Sequence, residues 1–404
     1  MKKMYAHAVC LALTVTIVSS AGQVFSADRD HERDSSYRQG KARNIIVMVP
    51  DGMGLADVTA ARIAKNGPDG DRLNFERLPV IGYQRTHSAN STVTDSAAAA
   101  SAWAAGQKFN NGEISCHAVE NVCVENPTTI LEIAKSMGKA TGLVVTSTIT
   151  HATPAAFGAH VNSRQCETEI GRQYIEEIGV DVLLGGGIGA NKRDAKYNCD
   201  QYPGQDGNAV IAQALGLGYE YVTTADELHQ KISDDDRIKL LGLFNDGGLT
   251  PEYLRSVEIS QPRLPEMTAA ALDILEEDKD GFFMMVEGSQ IDWANHDNNY
   301  EYQLGEMLAF DQAVKTVQDW IMAAPQRRQD TLLIVVADHD TGGFAVNGPY
   351  GTLSDAGDMV EAGWTTGGHT AGDTIIWSQG PGSRELGESL DNTDLFHIMK
   401  KAMK

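Results

Sequence analysis

Short runs of β-branched and other apolar residues alternate with longer amphipathic stretches along most of the chain. Six runs have the length and the near-continuous apolar character of strands that are covered on both faces. They are Asn44–Val49, Thr141–Thr146, Lys239–Phe244, Phe282–Val286, Thr331–Ala337 and Thr374–Trp377. Helical patterns lie between several of them, over Thr128–Met137, Pro265–Glu277 and Glu301–Met322. This alternation predicts an α/β fold: a central, mostly parallel sheet with helices on both faces and short insertions.

One stretch departs from this alternation. Gly185–Asp235 is richer in Gly, Asn and Asp than the rest of the chain. We expect it to be an insertion or a weakly ordered excursion from the α/β core.

The first 26 residues have their own pattern. Lys2 and Lys3 precede an apolar stretch from Ala8 to Val18, and small residues then lead to a cleavage site before Ala27. This order is typical of a signal peptide, and the apolar stretch is too short to span a bilayer. We therefore expect residues 1–26 to be a signal peptide, 27–43 a polar leader and 44–404 a single domain. The protein is expected to be periplasmic or secreted, without a membrane partner.

Export would place the cysteines where disulfides can form. Cys10 falls in the signal, which leaves Cys116, Cys123, Cys166 and Cys199. An even number of cysteines in an oxidising compartment favours disulfides, and four cysteines allow three pairings. We favour Cys116 with Cys123 and Cys166 with Cys199, because each pair closes the shorter loop. Free buried thiols are the alternative.

The composition of the chain excludes some classes of protein. The chain of 404 residues has 33 Lys and Arg against 55 Asp and Glu, a net charge of −22 with His neutral. A chain this acidic is not expected to bind nucleic acid stably. Its hydrophobic fraction of 42% is too high for a disordered chain. An anionic small substrate stays compatible with this charge only if something strongly positive lies in the site.

Acidic and imidazole side chains follow three of the predicted strands. Asp51 comes after the first strand, Glu287 after Phe282–Val286, and Asp338 with His339 after Thr331–Ala337. Ligands of open α/β sheets bind beyond the carboxyl ends of the strands, so these groups are expected to share one edge.

Three further side chains have metal-ligand character. Asp292 and His296 are four residues apart, a spacing that puts both on one face of a helix. His369 lies in the glycine-rich segment TTGGHTAGD, where backbone can approach closely. Asp and His together are typical zinc ligands, whereas sites made of oxygen alone suit magnesium. Each pair taken alone fits a helix cap or a surface position equally well, but so many carboxylates at one edge would repel one another without cations.

A candidate nucleophile precedes a run of alanines. Asp95-Ser96 is followed by Ala97–Ala100, which predicts that a helix begins at about Ser96. The positive end of a helix dipole favours anions, although an ordinary N-cap explains the same residues. Without a G-x-S-x-G elbow or an evident partner His, a metal would have to lower the pKa of the hydroxyl.

An arginine is the candidate for binding an anion. Thr153-Pro154 predicts another helix start, and Arg164 lies about three turns further on. A bidentate Arg suits a phosphate, although a surface salt bridge explains a lone Arg as well.

From about Asn44 to the C-terminus the chain resembles the alkaline phosphatase family. Seven motifs occur in that family's order and spacing: PDGMG, VTDSAAAASAW, HATPAAFGAHVNSR, GLFNDG, VEGSQIDWANH, VADHDTGG and GGHTAGD. The resemblance implies a metal-dependent phosphomonoesterase that hydrolyses small phosphate monoesters through a phosphoserine intermediate, with two zinc ions and a third metal. We expect that third metal to be magnesium, with cobalt as the alternative.

The resemblance also implies a role for each candidate residue. Ser96 would be the nucleophile, Arg164 would bind the phosphoryl oxygens, and Asp95 would orient that arginine. The metal ligands implied are Asp292, His296 and His369 for the first zinc, Asp51, Asp338 and His339 for the second, and Asp51, Thr153 and Glu287 for the third metal.

Two positions depart from the best-known enterobacterial pattern. His151 stands where that pattern has Asp, and Trp293 where it has Lys. Both would orient the substrate beside the third metal. Because a cation is lost at Trp293, we predict that the product phosphate is held more weakly.

The sequence leaves three alternative functions and the oligomeric state open. Within the same superfamily, a phosphodiesterase or a sulfatase-like hydrolase is the alternative enzyme. A phosphate- or metal-binding protein is the non-enzymatic one, although it would need no activated serine. The family's usual form is a homodimer, which the resemblance suggests for this chain without fixing it.

Overall fold

The computed structural model describes residues 41–187, 198–202, 206–232, 238–256 and 259–403. The predicted signal peptide and most of the predicted leader lie outside these residues. The last residues of the leader are tied to the fold, because the amide of Ala42 donates to the carbonyl of Ala402 and that of Arg43 to the carbonyl of Asp330, both at 2.7 Å.

A ten-stranded sheet forms the centre of the described structure. Its strands are β1 (Asn44–Pro50), β2 (Val80–Arg85), β5 (Ala140–Thr148), β6 (Val182–Gly186), β7 (Tyr219–Val222), β8 (Lys239–Leu243), β9 (Phe282–Gly288), β10 (Thr331–Val336), β15 (Thr374–Gln379) and β16 (Ser389–Asp391). Their order is β16-β2-β15-β10-β1-β9-β5-β6-β8-β7. Only β15 is antiparallel to its neighbours, β10 and β2. The predicted mostly parallel sheet is confirmed, and all six predicted strands belong to it.

The sequence missed the strands toward the two edges of this sheet. Of these, β16 is the edge strand on one side with β2 next to it, β7 is the edge strand on the other side, and β6 lies between β5 and β8. The region 185–235, predicted as an insertion or weakly ordered excursion, contributes the edge strand β7 between two helices. That part of the prediction is wrong for residues 206–232. Residues 188–197, 203–205 and 233–235 of the region lie outside the described residues.

The sheet is covered on both faces, as predicted. Along β1, Ile45, Val47 and Val49 pack into one hydrophobic cluster, while Ile46 and Met48 pack into another. The first cluster contains residues of α2 (Ser96–Ala105), α3 (Ile130–Ser136), α4 (Ala152–Gly158) and α12 (Asp394–Ala402). The second contains residues of α1 (Leu55–Asn66), α8 (Leu264–Leu275) and α10 (Tyr300–Ala323). Because alternate residues of a strand point to opposite faces, each cluster marks one face.

The remaining elements are short. The helices are α5 (Glu167–Arg172), α6 (Gly207–Gly216), α7 (Ala225–Ile232), α9 (Gln290–His296) and α11 (Pro325–Asp330). Three two-stranded ladders pair β3 (His117–Val119) with β4 (Val122–Glu125), β11 (Asp340–Thr341) with β14 (His369–Thr370), and β12 (Ala345–Gly348) with β13 (Glu361–Gly363).

Both predicted disulfides form. Cys116 is bonded to Cys123 across the β3–β4 hairpin, and Cys166 is bonded to Cys199. Within the part of the chain that the structure describes, no helix combines the length and the apolar character needed to cross a bilayer.

Candidate active site

Three adjacent central strands bring four candidate side chains to one edge of the sheet. Asp51 follows β1, Glu287 is near the end of β9, and Asp338 and His339 follow β10 after one intervening residue. All four are fully buried. The Nε2 atom of His339 lies 3.1 Å from Oδ2 of Asp338 and 3.6 Å from Oδ1 of Asp51. The predicted second metal site is therefore a close group of two carboxylates and one imidazole.

The three candidates for the first metal come from a helix and a short ladder. Asp292 and His296 lie on α9, and His369 lies on β14. The Nε2 atoms of His296 and His369 are 3.2 Å apart. They lie 3.3 Å and 3.5 Å from the two carboxylate oxygens of Asp292. The spacing of four residues on α9 thus brings both side chains to one point, as the sequence predicted.

Backbone carbonyls fix the tautomers of two of these imidazoles. Nδ1 of His296 is 2.8 Å from the carbonyl oxygen of Gly367, and Nδ1 of His369 is 2.8 Å from that of Thr94. Because a carbonyl oxygen only accepts, each Nδ1 donates its proton. In the neutral imidazole, each Nε2 then carries the lone pair and faces the cluster, which is the arrangement that metal-binding histidines adopt.

A threonine links the first and second groups. The hydroxyl of Thr341 donates to Oδ1 of Asp292 at 2.5 Å, and Nδ1 of His339 lies 3.2 Å from the hydroxyl oxygen of Thr341. Thr341 pairs with His369 in the β11–β14 ladder. Thr341 belongs to the motif VADHDTGG, but its sequence position does not indicate this role, because the role depends on a contact with α9.

The third group is rich in oxygen atoms. Asp51, Glu287 and His151 offer ligand atoms that lie within 4.8 Å of one another. Thr153 is fully buried on α4. Among the described residues, none makes a hydrogen bond of standard geometry with the carboxylate oxygens of Asp51 and Glu287 or with the hydroxyl of Thr153. Buried oxygens without partners are costly, so these residues fit a cation that would satisfy them. From the sequence, His151 is expected beside this site as a substrate-orienting residue only.

The electrostatics of the cluster also favour bound cations. Burial raises the pKa of Asp51 well above its usual value, and the nearby carboxylates of Asp338, Asp292 and Glu287 raise it further. Burial and then Asp338 raise the pKa of Glu287 to about 7. Such crowding of like charges is stable when divalent cations neutralise it.

Ser96 and Asp95 divide two tasks at the start of α2. Asp95 is the N-cap, and its Oδ1 accepts from the amide of Ala98 at 3.0 Å. Ser96 is the first helical residue, and its Oγ lies 3.1 Å from Nε2 of His339. The hydroxyl of Ser96 is therefore not needed for capping and faces the second metal group.

Arg164 is held from two sides. It lies in the loop after α4, which ends at Gly158, rather than on a helix three turns long as the sequence suggested. Its Nη1 donates to Oδ2 of Asp95 at 3.2 Å, and its Nη2 is 3.1 Å from Nε2 of His151. A guanidinium only donates, so Nε2 of His151 accepts. The helix α4 begins at Ala152, one residue before the predicted start.

Trp293 lies beside His151 and a glycine-rich segment. Its ring lies edge-on to that of His151, with the ring centroids 6.0 Å apart. On another side it approaches Gly248 so closely that a Cβ there would lie 2.7 Å from the ring. The glycine-rich segment after β8 therefore makes room for the indole.

Comparison with known proteins gives one consistent result. The family model of alkaline phosphatase matches residues 42–360. The chain is 34% identical to alkaline phosphatase 3 of Bacillus subtilis, an alignment that covers 100% of this chain and 97% of that protein. It is 31% identical to the alkaline phosphatase of Escherichia coli K12, with 90% and 86% covered. Among solved structures, a His-to-Glu mutant of the TAB5 alkaline phosphatase with Mg bound in the M3 site is 30% identical, with a TM-score of 0.74 and 90% and 99% covered.

Proposed function

The chain belongs to the alkaline phosphatase family and is a phosphoric monoester hydrolase, and from this premise we propose that Ser96 is its nucleophile. Attack by Oγ on a phosphate monoester forms the Oγ–P bond and breaks the bond from phosphorus to the ester oxygen, which leaves as an alcohol after it takes up a proton. Water then cleaves the phosphoserine, which releases inorganic phosphate and restores the hydroxyl. The observation that carries this proposal is the 3.1 Å approach of Oγ of Ser96 to the buried His339.

Three metal ions complete the proposed site. Two zinc ions would be held, the first by Asp292, His296 and His369 and the second by Asp51, Asp338 and His339. Magnesium, with cobalt as the alternative, would be held by Asp51, Thr153 and Glu287. When bound, these ions supply Lewis-acid stabilisation of the charged oxygens and lower the pKa of the hydroxyl that attacks.

The nature of the donor atoms supports these assignments. Mixed Asp and His donors suit zinc, and oxygen donors suit magnesium. A mutant of the similar TAB5 alkaline phosphatase binds Mg in its M3 site, which supports magnesium as the third metal. His151 lies near Asp51 and Glu287, but its Nε2 accepts from Arg164, so its remaining nitrogen carries the proton and the ring orients the arginine instead of binding the metal.

Arg164 is proposed to bind the phosphoryl oxygens. Asp95 and His151 hold its guanidinium at two nitrogens, so the group is oriented before the substrate arrives. Phosphoryl transfer depends mainly on such positioning and on charge neutralisation. The start of α2 adds a positive helix end next to the attacking oxygen.

The proposed setting is the periplasm or the extracellular medium. The two disulfides support an oxidising compartment. The proposed substrates are small phosphate monoesters, and a homodimer stays a prediction from the family's usual form.

The test compares Ser96→Ala with Ser101→Ala, a buried serine on the same helix. We expect Ser96→Ala to lose most p-nitrophenyl phosphate turnover and to keep its metal content, whereas Ser101→Ala keeps its turnover. Unchanged turnover in Ser96→Ala would contradict the assignment. Faster hydrolysis of the bis-ester or the sulfate ester by the wild-type protein would contradict monoester specificity.

A further inference from the structure

A buried amide connects the helix of the proposed nucleophile to the strand of the second metal group. Gln84, near the end of β2, is completely buried. Its Oε1 accepts from the indole Nε1 of Trp103 at 2.8 Å. Its Nε2 donates to the carbonyl of Ala337 at 3.0 Å and to the hydroxyl of Thr374 at 3.1 Å. The hydroxyl of Thr374 itself donates to the carbonyl of Ala337 at 2.7 Å.

Both ends of this link adjoin the candidate catalytic residues. Trp103 is seven residues after Ser96 on α2, so the two side chains share a helix face about 10 Å apart along the axis. Ala337 directly precedes Asp338 and His339. The amide therefore reaches from the far end of the helix to the strand end that carries these ligands.

As a result α2 is tied to the carboxyl end of β10 at two separate points. One is the contact between Ser96 and His339, and the other is the chain from Trp103 through Gln84 to Ala337. Most of the residues between them are alanines, whose methyl groups form shallow ridges that define the axial position of a helix poorly. Directional hydrogen bonds fix the axial position of the helix.

We propose that Gln84 is a positioning residue that sets where Ser96 lies relative to Asp338 and His339. The proposal rests on the proposed role of Ser96 as nucleophile. Glutamine suits this place because it offers an acceptor for the indole and donors for the carbonyl and the hydroxyl at once. Leucine, of similar size, offers neither.

The competing explanation is that Gln84 only satisfies a carbonyl at the end of a strand. Asn44 provides the matched control, because it is a buried amide at the opposite, amino edge of the same sheet. Its Nδ2 donates to Oγ1 of Thr331 at 3.2 Å, and its Oδ1 accepts from the amide of Phe282 at 3.3 Å. Replacing it disturbs strand pairing without affecting the link to α2.

The experiment compares Gln84→Leu, Trp103→Phe, the double variant and Asn44→Leu in the metal-loaded protein. We expect both single variants at the link to lower kcat for p-nitrophenyl phosphate by about 10- to 100-fold, since displacements near 1 Å have effects of this size. KM and zinc content should change by less than about twofold. The double variant should lose little more than Gln84→Leu alone, because both changes break one chain. Asn44→Leu should lose stability and keep kcat.

A second readout separates this inference from the proposed function. Wild-type protein is quenched in acid during turnover of a labelled monoester, and the Ser96 peptide is analysed by mass spectrometry. If the wild type carries no label on Ser96, the proposed function fails. If the wild type is labelled and Gln84→Leu is labelled just as fast, the role of Gln84 fails. Should Gln84→Leu not fold, Trp103→Phe answers the same question, and wild-type kcat in that variant overturns the proposal.

Discussion

A glutamate buried away from the active site should make the protein less stable as the pH rises. Glu306 on α10 is 4% exposed, and its carboxylate accepts from the amide of Glu252 at 2.7 Å. Burial raises the pKa of Glu306 from 4.5 to about 8, although Arg255 and Arg263 oppose the shift. Replacing it by Gln keeps an acceptor for this amide and removes the ionisation.

The sign follows from proton linkage. Between pH 4.5 and 8 the unfolded chain has lost the proton of Glu306 while the folded chain still holds it. Unfolding therefore releases a proton, so stability falls through this window as the pH rises and then levels off. At about 1.36 kcal/mol for each pH unit, the interval from pH 5.5 to 8 corresponds to about 3 kcal/mol.

The assay is urea unfolding of the wild type and of Glu306→Gln at pH 5.5 and pH 9.5. We expect the variant to gain about 3 kcal/mol relative to the wild type between the two pH values. Glu301→Gln, an exposed position on the same helix, serves as the control and should gain nothing comparable. A difference between Glu306→Gln and the wild type that does not change with pH would refute the assignment of a raised pKa to Glu306.

Three other changes have defined outcomes. Thr153→Val should lower the apparent affinity for magnesium at least severalfold in a titration of the metal-depleted enzyme and leave the zinc content unchanged. An affinity equal to that of the wild type would show that Thr153 is not a ligand of the third metal. Trp293→Lys should lower the inhibition constant of inorganic phosphate, because it places an ammonium beside His151, and a wild-type constant would argue against weaker product retention in this protein. Replacing Cys166 and Cys199 by Ala should lower the free energy of unfolding in urea by about 3 to 4 kcal/mol. This loss should exceed that from removing the Cys116–Cys123 bridge, because the Cys166–Cys199 bridge spans a sequence separation of 33 residues. Equal losses for the two bridges would show that loop length does not govern the effect.

The centre of the fold could be predicted because its strands are buried on both faces. The sequence of β1, NIIVMVP, is fully buried along its length and reads as one apolar run. In contrast, β2 alternates between buried and exposed residues, and its sequence VIGYQR carries a glycine and two polar residues. Neither β2, next to the edge strand β16, nor the edge strand β7 contains an apolar run long enough to stand out, so pattern alone does not identify them.

The candidate site was predictable where its residues belong to local motifs. Asp292 and His296 lie on one helical turn, and Asp338 and His339 are adjacent, so their grouping follows from spacing and strand ends. The contact of Gln84 with Ala337 joins residues 253 positions apart, and no local pattern gives it. The link from Thr341 to Asp292 likewise depends on how a strand end meets α9. Such supporting contacts arise from tertiary packing and need the structure.

The proposed mechanism depends most directly on the covalent phosphorylation of Ser96 during turnover. Acid quenching of the zinc- and magnesium-loaded enzyme during hydrolysis of a phosphate monoester, followed by mass spectrometry of the peptide that contains Ser96, measures this directly. We predict a phosphate group on Ser96 that appears within the first turnover and is absent from Ser96→Ala. Full turnover with an unmodified Ser96 peptide at every quench time, or with the phosphate on another residue, would contradict the assignment of Ser96 as the nucleophile.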